Sequence, residues 1–179
     1  MELTAEYAER TRAIIALFRS AFTASEGATE GDLIAELAAG MLDRVPTEDI
    51  FVVSALDAST QVGAIIFTKL TYPEDPSTVF LLSPAAVATA QQGKRVGQNL
   101  INYGLSQLHD RGVDIVLTYG DINFYSKVGF AQITEDIARP PLPLAYPEGW
   151  LGQSLTGHKL SPLNGPSRCV EPLNDAVYW

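Results

Sequence analysis

Residues 81–97, LLSPAAVATAQQGKRVG, carry the reading on which the rest of the chain depends. Val79 to Leu82 is an apolar run of strand type, Pro84 interrupts its hydrogen-bond ladder, and Ala85 to Val87 is apolar again. Proline cannot donate to a sheet, so a bulge or an edge is expected there. Gln92-Gly93-Lys94-Arg95-Val96-Gly97 then turns into an apolar stripe at helical spacing, formed by Val96, Leu100, Ile101, Gly104, Leu105 and Leu108. A helix therefore begins inside the turn. Its first amides lack partners within the helix and carry partial positive charge, and Lys94 and Arg95 stand beside them, so the turn suits a phosphate or diphosphate. No G-x-x-x-x-G-K-[ST] and no G-x-G-x-x-G pattern is present, which sets this turn apart from P-loop and Rossmann sites.

The surrounding composition narrows the function classes. A length of 179 residues fits one domain, read here as 1–179 with a proline-rich C-terminal part, 137–179, that holds seven of the eleven prolines. The formal net charge of −9 disfavours nucleic acid and anionic membrane as partners and favours a cationic amine. Cys169 is the only cysteine, which excludes an intramolecular disulfide and a cysteine-rich metal site. His109 and His158 stand at no metal-ligand spacing, so no metal is expected. No signal-type segment and no run of membrane-spanning length is visible, and a cytoplasmic location is the expectation.

Periodicity supplies the remaining elements. Thr4 is placed to cap a helix to about Phe22, Thr23 to Gly31 reads as a loop, and Leu33, Ile34, Leu37, Ala38 and Met41 mark a second helix. Ile50 to Leu56 and Val62 to Leu70 form an expected antiparallel hairpin, followed by a strand from Thr78 to Val87. Gly112 ends the helix after the Gln92 turn, and Val113 to Tyr119 is a strand of the doubly buried kind. Strand, helix, strand implies a parallel pair with a right-handed crossover. Asp121 can cap a short helix to Lys127, with Gly129-Phe130 as its stop. Trp150 to Leu155 is a last strand, expected to close the sheet edge, and Val177, Tyr178 and Trp179 either dock the tail or serve a dimer contact, so monomer and homodimer stay open.

Ala86-Val87, the Gln92 to Gly97 turn and Tyr125-Ser126-Lys127-Val128-Gly129-Phe130 together resemble the GNAT-type N-acetyltransferases, and within them a bacterial subgroup of small predicted acetyltransferases. The signature Q/R-x-x-G-x-G/A has one departure, Arg95 in place of glycine at the fourth position, where a side chain is costly if φ must be positive. The resemblance spans about Thr78 to Phe130. It implies an α/β fold of the acyl-CoA N-acyltransferase kind: a mixed, twisted central sheet with helices on both faces, splayed between the Thr78–Val87 and Val113–Tyr119 strands. The family's full first strand is expected here to be short or missing.

The same resemblance implies acetyl-CoA as co-substrate and direct transfer of acetyl to a primary amine. The pantetheine arm would pair with the main chain of Ala86 and Val87, and the diphosphate would lie on the loop of Gln92, Gly93, Lys94, Arg95, Val96, Gly97 and Gln98, with Phe124 close by. Tyr125 matches the family's tyrosine that hands a proton to the leaving thiolate; a phenol stays protonated at neutral pH, as a donor must, although a packed aromatic between Phe124 and Phe130 is the plainer alternative. Ser83, Tyr119 and Asp121 are candidates for the substrate side, against turn chemistry, packing and helix capping respectively. Glu74 and Asp75 read as solvated turn residues, and no general base stands out. The rival readings are a non-catalytic acyl-CoA-binding sensor or partner module, and an acetyltransferase of aminoacyl-tRNA, which the negative charge argues against.

Overall fold

The computed structural model describes Met1–Trp179. Seven strands, β1 (Glu2–Thr4), β2 (Ile50–Asp57), β3 (Thr60–Lys69), β4 (Val79–Val87), β5 (Ile115–Tyr119), β6 (Ala131–Gln132) and β7 (Trp150–Ser154), form one mixed sheet in the order β1-β2-β3-β4-β5-β7-β6. The helices are α1 (Thr11–Glu26), α2 (Ala28–Arg44), α3 (Val96–Asp110) and the single turn α4 (Ile122–Tyr125). No helix is long and apolar enough to cross a membrane. Two compact units divide the chain: Met1–Phe67 with Pro84–Gly104, and Thr68–Ser83 with Leu105–Trp179.

In the first unit, β1 is present but only three residues long, and it pairs antiparallel with β2 through Leu3↔Ala55. Thr4 therefore belongs to a strand and does not cap α1, which starts seven residues later at Thr11. The loop expected over Thr23 to Gly31 is also absent. Thr23 to Glu26 continue α1, and Gly27 alone, at φ +98°, reverses the chain before α2. The small residues that suggested a loop instead allow close approach: a Cβ on Gly31 would lie 2.7 Å from the Arg19 carbonyl oxygen.

The β2–β3 hairpin turns on Ala58 and Ser59, both at positive φ (+45° and +70°), the mirror-image turn that matches strand twist. Helix α3 packs on β3 at two glycines. A Cβ at Gly63 would stand 2.7 Å from Leu100 Cδ1, and one at Gly104 2.5 Å from the Phe67 ring. Leu100 and Ile101 are fully buried there.

In the second unit, β4 and β5 run parallel from Val79↔Ile115 to Leu82↔Thr118, where the ladder ends. β5 begins at Ile115 rather than Val113, because Gly112 at φ +80° closes α3 with a double cap: its N–H donates to His109 O (2.9 Å) and that of Val113 to Leu108 O (3.0 Å). β7 does not close the edge. It pairs with β5 on one side and with β6 on the other, so the two-residue β6 takes the edge. β6 is too short to leave any periodic trace in the sequence.

The proline-rich part is held by carbonyl anchors rather than by regular structure. Tyr72 Oη and Ser167 Oγ both donate to Arg139 O (2.9 and 2.7 Å), and Trp150 Nε1 donates to Ala138 O (2.8 Å). The tail docks through Trp179, whose Nε1 donates to Leu173 O (2.8 Å) and whose ring stands edge-on to Trp150 at 6.1 Å.

Candidate active site

The turn expected to hold an anion lies in the first unit. Between the bonds Leu70 N–H to Val79 O and Ala88 N–H to Val62 O, β4 advances nine residues while β3 advances eight. One extra residue on β4 is a bulge, on the stretch that contains Pro84. β4 ends at Val87, whose carbonyl accepts from Gln92 Nε2 (3.2 Å), so the first residue of the Gln92 motif folds the turn back onto the strand end.

The turn itself uses two left-handed residues, Gly93 at φ +76° and Arg95 at φ +62°. Arg95 therefore stands in the left-handed region that a glycine at this position would reach freely. Arg95 adopts the conformation that favours glycine, at a cost of about 1–2 kcal/mol, and its carbonyl accepts the first bond of α3 from Asn99 N–H (3.0 Å). Amides on either side of a left-handed residue converge into an anion-binding nest, here continuous with the first turn of a helix. Gly93, Lys94 and Arg95 are exposed and Gly97 and Gln98 half-exposed, whereas Val96 is buried and seats the helix. Lys94 Nζ donates to Gln91 Oε1 (3.0 Å), which keeps the ammonium against the loop.

The tyrosine cluster lies in the second unit. Asp121 caps α4 through its carboxylate, which accepts from the N–H (2.9 Å) and the side-chain Nδ2 (3.0 Å) of Asn123. Gly129 at φ +92° stops the segment, and Phe130 N–H closes back to Tyr125 O (3.2 Å). Tyr125 is thus fixed by caps at both ends. Its ring meets Phe124 and Phe130 edge-on, at centroid distances of 5.1 and 5.6 Å. Burial raises the phenol above its ordinary pKa, and a hydrogen bond with the Thr118 hydroxyl offsets part of that rise. Thr118 Oγ1 in turn donates to Leu82 O (2.9 Å), at the last pair of the parallel ladder. Thr118 thus links Tyr125 to the last pair of the β4–β5 ladder. Sequence reasoning passed over Thr118; the signal was a threonine directly after the apolar run Ile115 to Leu117 of β5.

The other candidates sort differently. Ser83 is half-buried in β4. Tyr119 ends β5, and its hydroxyl accepts from Tyr146 N–H (2.6 Å), an anchor across 27 residues. Burial raises its pKa, the Tyr146 bond opposes this, and the nearby charge of Glu148 adds to the rise. Tyr119, Gly120, Tyr146, Glu148 and Gly149 line an open cavity of about 330 Å³. Tyr146 and Glu148 went unnoticed in the sequence because the loop that carries them has no motif.

Asp75, read as a solvated turn residue, is tied down. Partial burial pushes its carboxyl up, but the amides of Asn164 and Ser77 (both 2.9 Å) outweigh this and leave it below the ordinary value.

No family model and no curated protein matches the chain. Solved structures do. The GNAT family N-acetyltransferase YhbS from Escherichia coli, in complex with CoA, superposes with a TM-score of 0.83 over 98% of this chain and 92% of its own, at 21% identity. A GNAT family acetyltransferase from Brucella melitensis, in complex with acetyl-CoA, gives 0.65 over 94% and 93% at 20% identity. The aminoglycoside 6'-N-acetyltransferase from Enterococcus faecium gives 0.62 over 89% and 99% at 15% identity.

Proposed function

Because the chain has the fold of the GNAT family N-acetyltransferases, we propose that it transfers an acetyl group from acetyl-CoA directly to a primary amine. The observation that carries this reading is the left-handed turn at Gly93 and Arg95 leading into α3, set on a fold whose similar structures include complexes with CoA and acetyl-CoA.

The residues divide the work as follows. The diphosphate of acetyl-CoA lies on the amides from Gln92 to Gln98, with Lys94 and Arg95 supplying positive charge that the chain as a whole lacks. The pantetheine arm runs along the main chain of Ala86 and Val87, beside the bulge. The amine nitrogen attacks the thioester carbonyl carbon, the C–N bond forms, and the C–S bond breaks. Tyr125 gives its proton to the departing thiolate, and the proton lost by the amine restores neutrality through solvent. Thr118 positions the phenol. Holding Tyr125 above its ordinary pKa keeps it protonated throughout the neutral range.

Release of free thiol from acetyl-CoA across an amine panel tests the reading. Tyr125→Phe should lower kcat about 100-fold with an unchanged dissociation constant for acetyl-CoA. Acetyl-CoA binding without turnover for any amine would make the chain a sensor, and full activity in Tyr125→Phe would remove the tyrosine from the mechanism.

A further inference from the structure

The cavity beside Tyr119 has a composition that the transfer chemistry does not use. Its wall combines two tyrosines with one carboxylate and no cation: Tyr119 and Tyr146 contribute rings, Glu148 the charge, and Gly120 and Gly149 leave the space open. Tyr146 is 68% exposed, so the cavity is open to solvent on its side. The main chain around the cavity is fixed, because the Tyr146 amide is pinned to the Tyr119 hydroxyl at 2.6 Å and the Gly149 carbonyl accepts from Gly120 N–H at 2.9 Å. The 3₁₀ turn Pro147–Gly149 carries Glu148, whose charge is felt at the Tyr119 hydroxyl. Electron-rich faces and a carboxylate around an open space recognise an ammonium.

Gly120 connects this cavity to the proposed proton donor. It lines the cavity, and a Cβ on it would lie 2.7 Å from the Tyr125 ring, so one glycine separates the two. The nitrogen held at Glu148 is not the one that reacts. A carboxylate next to an ammonium favours its charged form, and a protonated amine has no lone pair with which to attack. A group bound here is therefore the non-reacting end of a substrate whose other nitrogen reaches the thioester.

We propose that Tyr119, Tyr146 and Glu148 form a subsite for a second, non-reacting ammonium, so that the acceptor is an aliphatic diamine or polyamine. The proposal rests on the transfer reading for its account of turnover, but the subsite itself can be read by binding alone. Calorimetric or NMR titration of 1,4-diaminobutane against n-butylamine, at low salt, is the test. The wild-type chain should bind the diamine about tenfold more tightly than the monoamine, and Glu148→Gln, an exposed near-isosteric change, should abolish that preference. Tyr146→Leu should weaken it while leaving Tm unchanged. Equal binding of the two amines by the wild type, or a preference that survives Glu148→Gln, overturns the subsite. If diamine preference is present but acetyl-CoA-dependent acetylation is not, the subsite stands and the transfer reading fails. If monoamines and diamines are acetylated with equal kcat/KM, the subsite fails and the transfer reading stands.

Discussion

Arg95 sits at φ +62° between two requirements that conflict. A side chain there is strained, yet its guanidinium adds positive charge beside the amides that open α3. Comparing Arg95→Gly with Arg95→Ala separates them, because both remove the charge and only one removes the Cβ. An alanine in this conformation costs about 1–2 kcal/mol. Glycine has no such cost but loses about 0.5–1 kcal/mol more chain entropy on folding. The glycine variant should therefore exceed the alanine variant in stability by about 1 kcal/mol, which for a chain of this size is roughly 2–4 °C in Tm. Differential scanning calorimetry of the two variants, side by side without ligand, measures it. Acetyl-CoA affinity, taken separately, should fall in both by a similar factor and recover in Arg95→Lys, which restores charge without restoring a glycine. If Arg95→Ala melts at or above Arg95→Gly, the residue is not held left-handed and the strain argument is refuted.

Two further perturbations follow from the geometry. Gly120→Ala places a methyl 2.7 Å from a Tyr125 ring already confined by Phe124 and Phe130, so kcat should drop with little change in acetyl-CoA affinity; a fully active Gly120→Ala enzyme would contradict the placement of Tyr125. Tyr72 is buried with its hydroxyl on Arg139 O, and burial, moderated by Ser167 and reinforced by Asp75, pushes its pKa up to about 12. Its unfolded pKa is near ~10, so the native state holds the proton longer: the contribution is complete below pH ~10 and is lost as pH rises towards ~12, by roughly 2–3 kcal/mol. Urea titrations across that window should show a negative slope that Tyr72→Phe reduces by about one proton, with Tyr119 and Tyr125 sustaining a remainder.

What the sequence determined by itself is what short-range chemistry encodes. The β2–β3 hairpin, the β4–α3–β5 crossover, the Gly112 and Gly129 stops and the Asp121 cap each depend on a few consecutive residues whose turn preferences and periodicity are legible in one dimension. The bulge was legible too, through a single proline. The errors lie where one local signal served two outcomes. Small polar residues after Phe22 fit a loop as well as two tightly packed helices, and only the approach of Gly31 to the Arg19 carbonyl favours the second.

The tertiary structure decided everything that depends on residues distant in sequence. β7 sits inside the sheet because a two-residue strand covers its far side, and nothing in Ala131-Gln132 announces that. That Arg95 is left-handed is a matter of its φ angle in the folded chain, which the identity of the residue argues against. Thr118 meets Tyr125, and Tyr119 meets the Tyr146 amide, only because β5 brings the two side chains to partners supplied by α4 and by the loop before Pro147. Contacts of this kind leave no period in the sequence: the free energy that fixes them comes from burial and hydrogen bonding across the folded sheet, and not from the conformational preference of any neighbouring residue.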